Sequence, residues 1–221
     1  MKIISWNCRG KFREKCQHIQ KENADIYIIQ ECENPEKYAK EFSVTHLDYI
    51  WCGENANKGL AIFRKPEIKL EKNEWIQRSL RFFMSVKING VFDLVAVWAC
   101  RPYIEEYYDY QEMNIQRFKA DTVIMGDFNS NSVWDKLHGQ RNHTVVVEQL
   151  REKGLISAYH CVTGEKSGEE SQGTFYQYSH IDKPSHIDYC FISPDKIKQF
   201  KLLPAEDWLK YSDHIPLLLE I

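Results

Sequence analysis

The chain has 221 residues, 43% of them hydrophobic and 28% charged, with a formal net charge of −3. That length suits one large domain or two small ones, and the composition is that of an ordinary globular protein, not a disordered or fibrous one. The slightly acidic balance excludes a protein that grips nucleic acid through bulk positive charge, so any phosphate contact must rely on local cations or a bound metal.

Seven cysteines are present, an odd number, with no Cys-x-x-Cys pair, and several sit in apolar runs such as Asp188-Tyr-Cys-Phe-Ile. Reduced, mostly buried thiols in a reducing compartment are expected, with neither a disulfide framework nor a zinc site. The opening Met1-Lys-Ile-Ile-Ser-Trp-Asn lacks a signal-peptide core. No apolar run approaches the ~20 residues of a membrane span, so a cytoplasmic protein without one is the expectation.

In chain order, Ile3–Trp6 reads as a buried opening strand, Phe12–Glu22 has helical spacing, and Asp25–Glu31 is a β-rich run ending in polar residues. Strands are expected at Tyr49–Gly53, Gly59–Lys65, Ile68–Lys72 and Arg81–Asn89. Asn89-Gly90 then supplies a strong hairpin signal into a strand over Phe92–Cys100. A helix is predicted over Ile104–Lys119, a buried strand over Asp121–Met125, and helical turns over Ser132–Leu137 and His143–Lys153. Thr163–Gly173 has three Gly and no apolar anchor and reads as a mobile loop. Strands resume at Thr174–Tyr178, His186–Ser193 and Ile215–Ile221. No stretch resembles a domain linker, so a single domain over 1–221 is expected, with two sheets face to face and helices outside.

Five polar islands interrupt these apolar strands at or near their ends: Trp6-Asn7, Gln30-Glu31, Gly126-Asp127-Phe128-Asn129-Ser130, His186-Ile187-Asp188-Tyr189 and Ser212-Asp213-His214. Strand ends meet at one rim of a sandwich, where a rigid scaffold can hold catalytic groups. Acids, amides and an imidazole gathered there suit phosphate chemistry, in which a metal neutralises phosphate oxygens and a carboxylate activates water. Each island also has a bland reading. Asn7 could cap the Phe12–Glu22 helix, Glu31 could be a solvated strand end, and Asp127-Phe-Asn-Ser could be a plain turn. Asp213-His214 could be a loop turn before Pro216. Asp188, between apolar neighbours, needs a partner to offset its desolvation.

Taken in order, the five islands resemble the endonuclease/exonuclease/phosphatase superfamily, which includes exonuclease III, apurinic/apyrimidinic endonucleases, deoxyribonuclease I and the deadenylases. Lys58-Gly59-Leu60-Ala61-Ile62-Phe63 also resembles the family's Gly-Val-Ala-Ile strand, and the length is that of short stand-alone bacterial-type members. The resemblance implies an α/β fold, a four-layer sandwich of two mixed β-sheets packed face to face with helices outside, deoxyribonuclease I-like. It implies a Mg²⁺-dependent hydrolase, with Mn²⁺ as a substitute ion, acting on phosphoester bonds. By position, Glu31 would be the principal metal ligand, with Asn7 beside it. Asp127 would orient or deprotonate the attacking water, and Asn129 would hold phosphate or water. Asp188 would bond His214, fixing its tautomer and raising its pKa, and His214 would contact the scissile phosphate. Asp213 would support the metal or the water network.

Two positions depart from the pattern. Arg9 stands where many relatives carry Asn or Asp, and a guanidinium has no acceptor, so it can contact phosphate but cannot ligate a metal. On the strand Val95–Pro102, where relatives place a His or Tyr for the leaving group, only Trp98 and Cys100 are available. Tyr103 lies just beyond them, and the bland reading puts Trp98 and Cys100 in the core. Arg9, Lys11, Arg101 and Arg141 are candidate phosphate contacts, and Trp134, Phe175 and Tyr176 candidate base-stacking groups. The Gly-Asp-Phe-Asn-Ser form resembles that of nuclease and deadenylase members, which implies a nuclease on DNA or RNA. A phosphatase or phosphodiesterase on a small phosphorylated molecule or lipid headgroup is the alternative, and a catalytically silent binding module is a third. The sequence does not specify oligomeric state.

Overall fold

The computed structural model describes residues 1–221. The chain runs β1 (Lys2–Asn7), α1 (Phe12–Ile19), β2 (Ile26–Cys32), α2 (Ala39–Phe42), β3 (Asp48–Asn55), β4 (Lys58–Arg64), β5 (Leu70–Lys72), β6 (Phe83–Ile88) and β7 (Phe92–Trp98). It continues through α3 (Ile104–Asn114), β8 (Val123–Asp127), α4 (His143–Glu152), β9 (Ile156–Ser157), α5 (Ala158–Thr163), β10 (Phe175–Tyr176) and β11 (Pro184–Ser185). It closes with β12 (Asp188–Ile192), β13 (Gln199–Leu202), α6 (Ala205–Trp208) and β14 (Leu217–Glu220).

Two six-stranded sheets form, in the orders β13-β14-β1-β2-β4-β3 and β5-β6-β7-β8-β12-β9. Each is mixed, with one parallel pair: β1 with β2 in the first, β7 with β8 in the second. Side chains alternate across the sheets because the strand period is two. Ile3, Ile28, Leu60, Ile62, Leu94, Ala96, Met125 and Cys190 fill the layer between the sheets. Their strand neighbours Ile4, Ile29, Ala61 and Phe63 face outward onto α1 and the segment around Trp208. Val95, Val97, Ile124 and Phe191 face outward onto α3 and α4. Three apolar layers between four structural layers are the expected sandwich, and each fully buried Ile or Leu contributes roughly 2 kcal/mol.

Local chemistry accounts for the boundaries. Asn89 and Gly90 both take positive φ, closing the β6–β7 hairpin as Asn-Gly predicts. The Ile104–Lys119 helix is shorter than expected. Asn114 ends it by donating to the carbonyls of Ile76 and Tyr110 and accepting the Ile76 N–H, which ties the helix end to a neighbouring loop. Ser132–Leu137 is a 3₁₀ turn capped by Asn131, not an α-helix. Asn7 does not cap α1: the helix starts after Lys11, and its first amide, from Phe12, donates to Glu33 at 2.6 Å.

The Thr163–Gly173 loop lacks an apolar anchor but is held by polar ones. Glu165 accepts bonds from Tyr159 and Ser171, while Glu170 accepts from Asn131, His160 and the Gly168 amide. Two carboxylates therefore organise a segment whose glycines alone suggest mobility. All seven cysteines are free, four of them buried. No helix is long and apolar enough to cross a membrane.

Candidate active site

Strand register builds the site. In the second sheet Asp127, the last residue of β8, lies directly opposite Asp188, the first of β12. Two carboxylates facing each other across a sheet repel, and both are buried. A cation beside them eases the conflict: His214, from the segment before β14, bonds Asp188 Oδ2 through Nδ1 at 2.9 Å. Ligand atoms of Asp127, Asp188 and His214 all lie within 4.8 Å of one another. Burial works against charge on His214, but the carboxylates of Asp188 and Asp127 overcome it and raise its pKa to about 9. Burial, with the Asp188 charge beside it, pushes Asp127 up to about 7.

The first sheet supplies the other wall. Asn7, at the end of β1, donates from Nδ2 to Asp127 Oδ2 at 2.9 Å, joining the two sheets across the rim. Asn129 donates its backbone N–H to Asp127 Oδ1 at 2.8 Å and its Nδ2 to Oδ2 at 3.1 Å. The backbone around His214 is fixed by Ser212, which donates to the Asn7 carbonyl and accepts the His214 N–H, and by the Trp6 indole donating to the His214 carbonyl. Thr174 Oγ1 accepts the amides of Ile187 and Asp188, both at 2.9 Å. No sequence pattern marks Thr174 for this role, because only the fold brings it to β12.

The other expected residues are placed as follows. Glu31 sits at the same rim, at the end of β2, paired with Lys58. Asp213 pairs with Arg9 at 3.3 Å. Arg101 and Tyr103 lie in the turn after β7, and neither side chain bonds to the acid–imidazole cluster. Trp98 packs on Phe82 in the inter-sheet core. Cys100 packs against the same core, and burial pushes its thiol up to about 12. Arg141 is taken up by Glu105 and Asp109. Tyr176 is core. Trp134 and Phe175, by contrast, line a cavity of about 410 Å³ beside Asn129, with Lys183, Gln177 and Ile187, and the Phe175 ring lies 4.8 Å from that of His214.

Immediately behind the site, Tyr189 of β12 packs against His143 and His186. Burial drives the His143 pKa down from 6.5 to about 4, so it is neutral in the folded state. Between pH 6.5 and 4 the unfolded chain therefore binds more protons at this position than the folded one, and stability falls as pH falls through that window. His143→Phe is expected to reduce the loss of melting temperature between pH 7 and 4.5. Equal losses in variant and parent would refute this.

A sandwich of two mixed sheets, with acids, amides and an imidazole joined across one rim, defines a deoxyribonuclease I-like α/β protein. The chain belongs to the Endonuclease/Exonuclease/phosphatase family, whose model matches residues 4–214. No curated protein matches it in sequence. Solved structures share its fold at low identity. An AP endonuclease from Archaeoglobus fulgidus has a TM-score of 0.75 at 17% identity, covering 100% of this chain and 99% of its own. A 3′ phosphatase, NExo, from Neisseria, bound to a product DNA hairpin, has 0.74 at 17%, with the same coverage. A humanized TDP2 from D. rerio has 0.64 at 15%, covering 99% of this chain and 97% of its own.

Proposed function

We propose that this chain is a metal-dependent phosphodiesterase, a nuclease that hydrolyses DNA or RNA phosphodiester bonds, working as one domain over residues 1–221 in the cytoplasm. The observation that carries the reading is the buried Asp127–Asp188–His214 cluster, joined to Asn7 across the sheet rim. Two opposed buried acids and a charged imidazole are a costly arrangement for a fold with no phosphate chemistry to perform.

Further hard oxygens are the carboxylate of Glu31, next to the Gln30 that pairs with Asn7, the carboxylate of Asp213, next to His214, and the amide oxygen of Asn7. That set fits Mg²⁺ or Mn²⁺, which take few protein ligands and keep several waters. Glu31 would be the principal ligand, with Asn7 and Asp213 beside it, and a bound ion would supply charge neutralisation of the phosphate oxygens. The remaining work falls to the protein. Asp188 accepts the Nδ1–H of His214, leaving Nε2–H to donate to a non-bridging phosphate oxygen as negative charge builds there. Asp127, with a pKa near neutrality, accepts a proton from the attacking water. Asn7 and Asn129 hold its carboxylate in position. Arg9, kept at the mouth by Asp213, contacts the phosphate backbone, with Arg101 and Tyr103 further out along the turn after β7.

Nucleic acid is favoured over a small ester by the cavity that Trp134 and Phe175 line beside Asn129, which supplies aromatic faces and the Lys183 cation together. The fold neighbour bound to a DNA hairpin is consistent with that substrate class. The test incubates the protein with plasmid, DNA and RNA oligonucleotides and bis-p-nitrophenyl phosphate, with Mg²⁺, Mn²⁺ or EDTA. Cleavage of nucleic acid that EDTA abolishes is the expected result. Turnover of the small ester alone would replace the nuclease with a small-molecule phosphodiesterase. Silence on every substrate with both ions would leave a binding module.

A further inference from the structure

Glu31 and Glu33 flank Cys32 at the end of β2, and the structure treats them in opposite ways. Glu33 is 3% exposed. Its carboxylate accepts the Phe12 backbone N–H and the Arg13 guanidinium, so it is fixed as part of the fold. Glu31 has one partner, the Lys58 ammonium, carried on a side chain that is 54% exposed. A single flexible ammonium at the solvent boundary is a replaceable partner, whereas a backbone amide is not.

The backbone builds this pairing. Against β4, the register of β2 shifts between Gln30, which pairs with Leu60, and Cys32, which pairs with Gly59. Glu31 is the extra residue, at φ 57, turned out of the ladder as a bulge requires. Gly59 pins the facing strand: a Cβ there would lie 2.3 Å from the Cys52 carbonyl oxygen and 2.6 Å from the Trp51 ring. The root of Lys58 is thereby held beside the bulge.

We infer that Lys58 is an internal counter-ion that a divalent cation must displace from Glu31, so that metal loading at this rim is an exchange of one cation for another. The inference rests on the proposed reading of Glu31 as a metal ligand. In the exchange the ammonium leaves the carboxylate still protonated and returns to water, while the divalent ion takes the freed oxygen. No bond to hydrogen is broken. A half-exposed ion pair contributes little to stability, so Lys58 weakens metal binding modestly and reversibly without abolishing it.

The experiment titrates the full chain with Mn²⁺ alone and follows free Mn²⁺ by electron paramagnetic resonance. Lys58→Met keeps the apolar stem and removes the charge, Lys58→Arg keeps the charge, and Glu31→Gln removes the ligand. Lys58→Met is expected to bind Mn²⁺ about two- to five-fold more tightly than the parent, the range an exposed ion pair allows. Lys58→Arg should stay within about two-fold of the parent, and Glu31→Gln should bind at least about ten-fold more weakly, as loss of a charged ligand implies. Affinity equal to the parent's, or weaker, in Lys58→Met overturns the counter-ion role, and the Glu31→Gln loss then leaves the metal reading standing. No Mn²⁺ binding by parent and Lys58→Met alike, or binding indifferent to Glu31→Gln, overturns both.

Discussion

Asp127→Asn and His214→Ala are each expected to slow phosphodiester hydrolysis about a thousandfold or more at saturating Mg²⁺, with far-ultraviolet circular dichroism unchanged. A positioned general base is worth roughly 10² to 10⁴ in rate, and loss of a charged donor to the developing oxyanion is of similar size. Asn at position 127 keeps the shape of the side chain but cannot take a proton from water. It also turns an amide toward the Asn7 and Asn129 donors that now meet at Oδ2. Ala at position 214 removes the imidazole that bonds Asp188 and lies within 4.8 Å of both opposed carboxylates. The two variants should nevertheless differ in stability. His214→Ala leaves both acids buried without their cation and should lower the melting temperature, whereas Asp127→Asn removes one of two like charges and should lower it less. Single-turnover rates on a labelled oligonucleotide, read beside thermal melts, separate these effects. Activity within ten-fold of the parent in either variant would remove the cluster from the chemistry.

The second large effect concerns the fold that carries this cluster. Gly126→Ala is expected to destabilise the protein by about 4 kcal/mol or more, in the range reserved for changes the backbone cannot absorb. A Cβ at residue 126 would lie 2.0 Å from the Val97 carbonyl oxygen and under 3 Å from the Val97 C and N atoms, all main chain of the neighbouring strand β7. Gly126 also has φ 154, at the far edge of what a side chain tolerates. The clash has no rotamer escape, so β7 and β8 must part where their parallel pairing sets Val97 against Gly126 and Trp98 against Asp127. For a chain of this size a loss of 4 kcal/mol corresponds to roughly 10 °C or more in melting temperature. Activity should fall with it, because Asp127 is the next residue. A melting temperature within two degrees of the parent would mean that β7 and β8 approach each other less closely than described.

Much of the fold was legible along the chain because the strands are short, apolar and period-two. The β6–β7 hairpin followed from Asn89-Gly90, whose residues both take the positive φ such turns demand. Elements set by tertiary partners were not legible. The 104–114 helix stops where Asn114 finds Ile76, and the 163–173 loop is ordered by Glu165, which bonds Tyr159, and by Glu170, which reaches Asn131 39 positions away. Residue type and order likewise pointed to Asp127, Asn129, Asp188 and His214, but their partnership did not follow from spacing.

The sequence by itself determined the family, the alternation that fills three apolar layers, and which side chains could serve phosphate chemistry, since local residue type and period encode all three. Only the tertiary structure decided that Asp127 faces Asp188 across a strand pair and that Lys58 and Arg9 already occupy Glu31 and Asp213. Charge pairing depends on distances of a few ångströms between residues far apart in sequence, as with Arg9 and Asp213, and those distances are fixed by strand register and sheet packing, which no local pattern records.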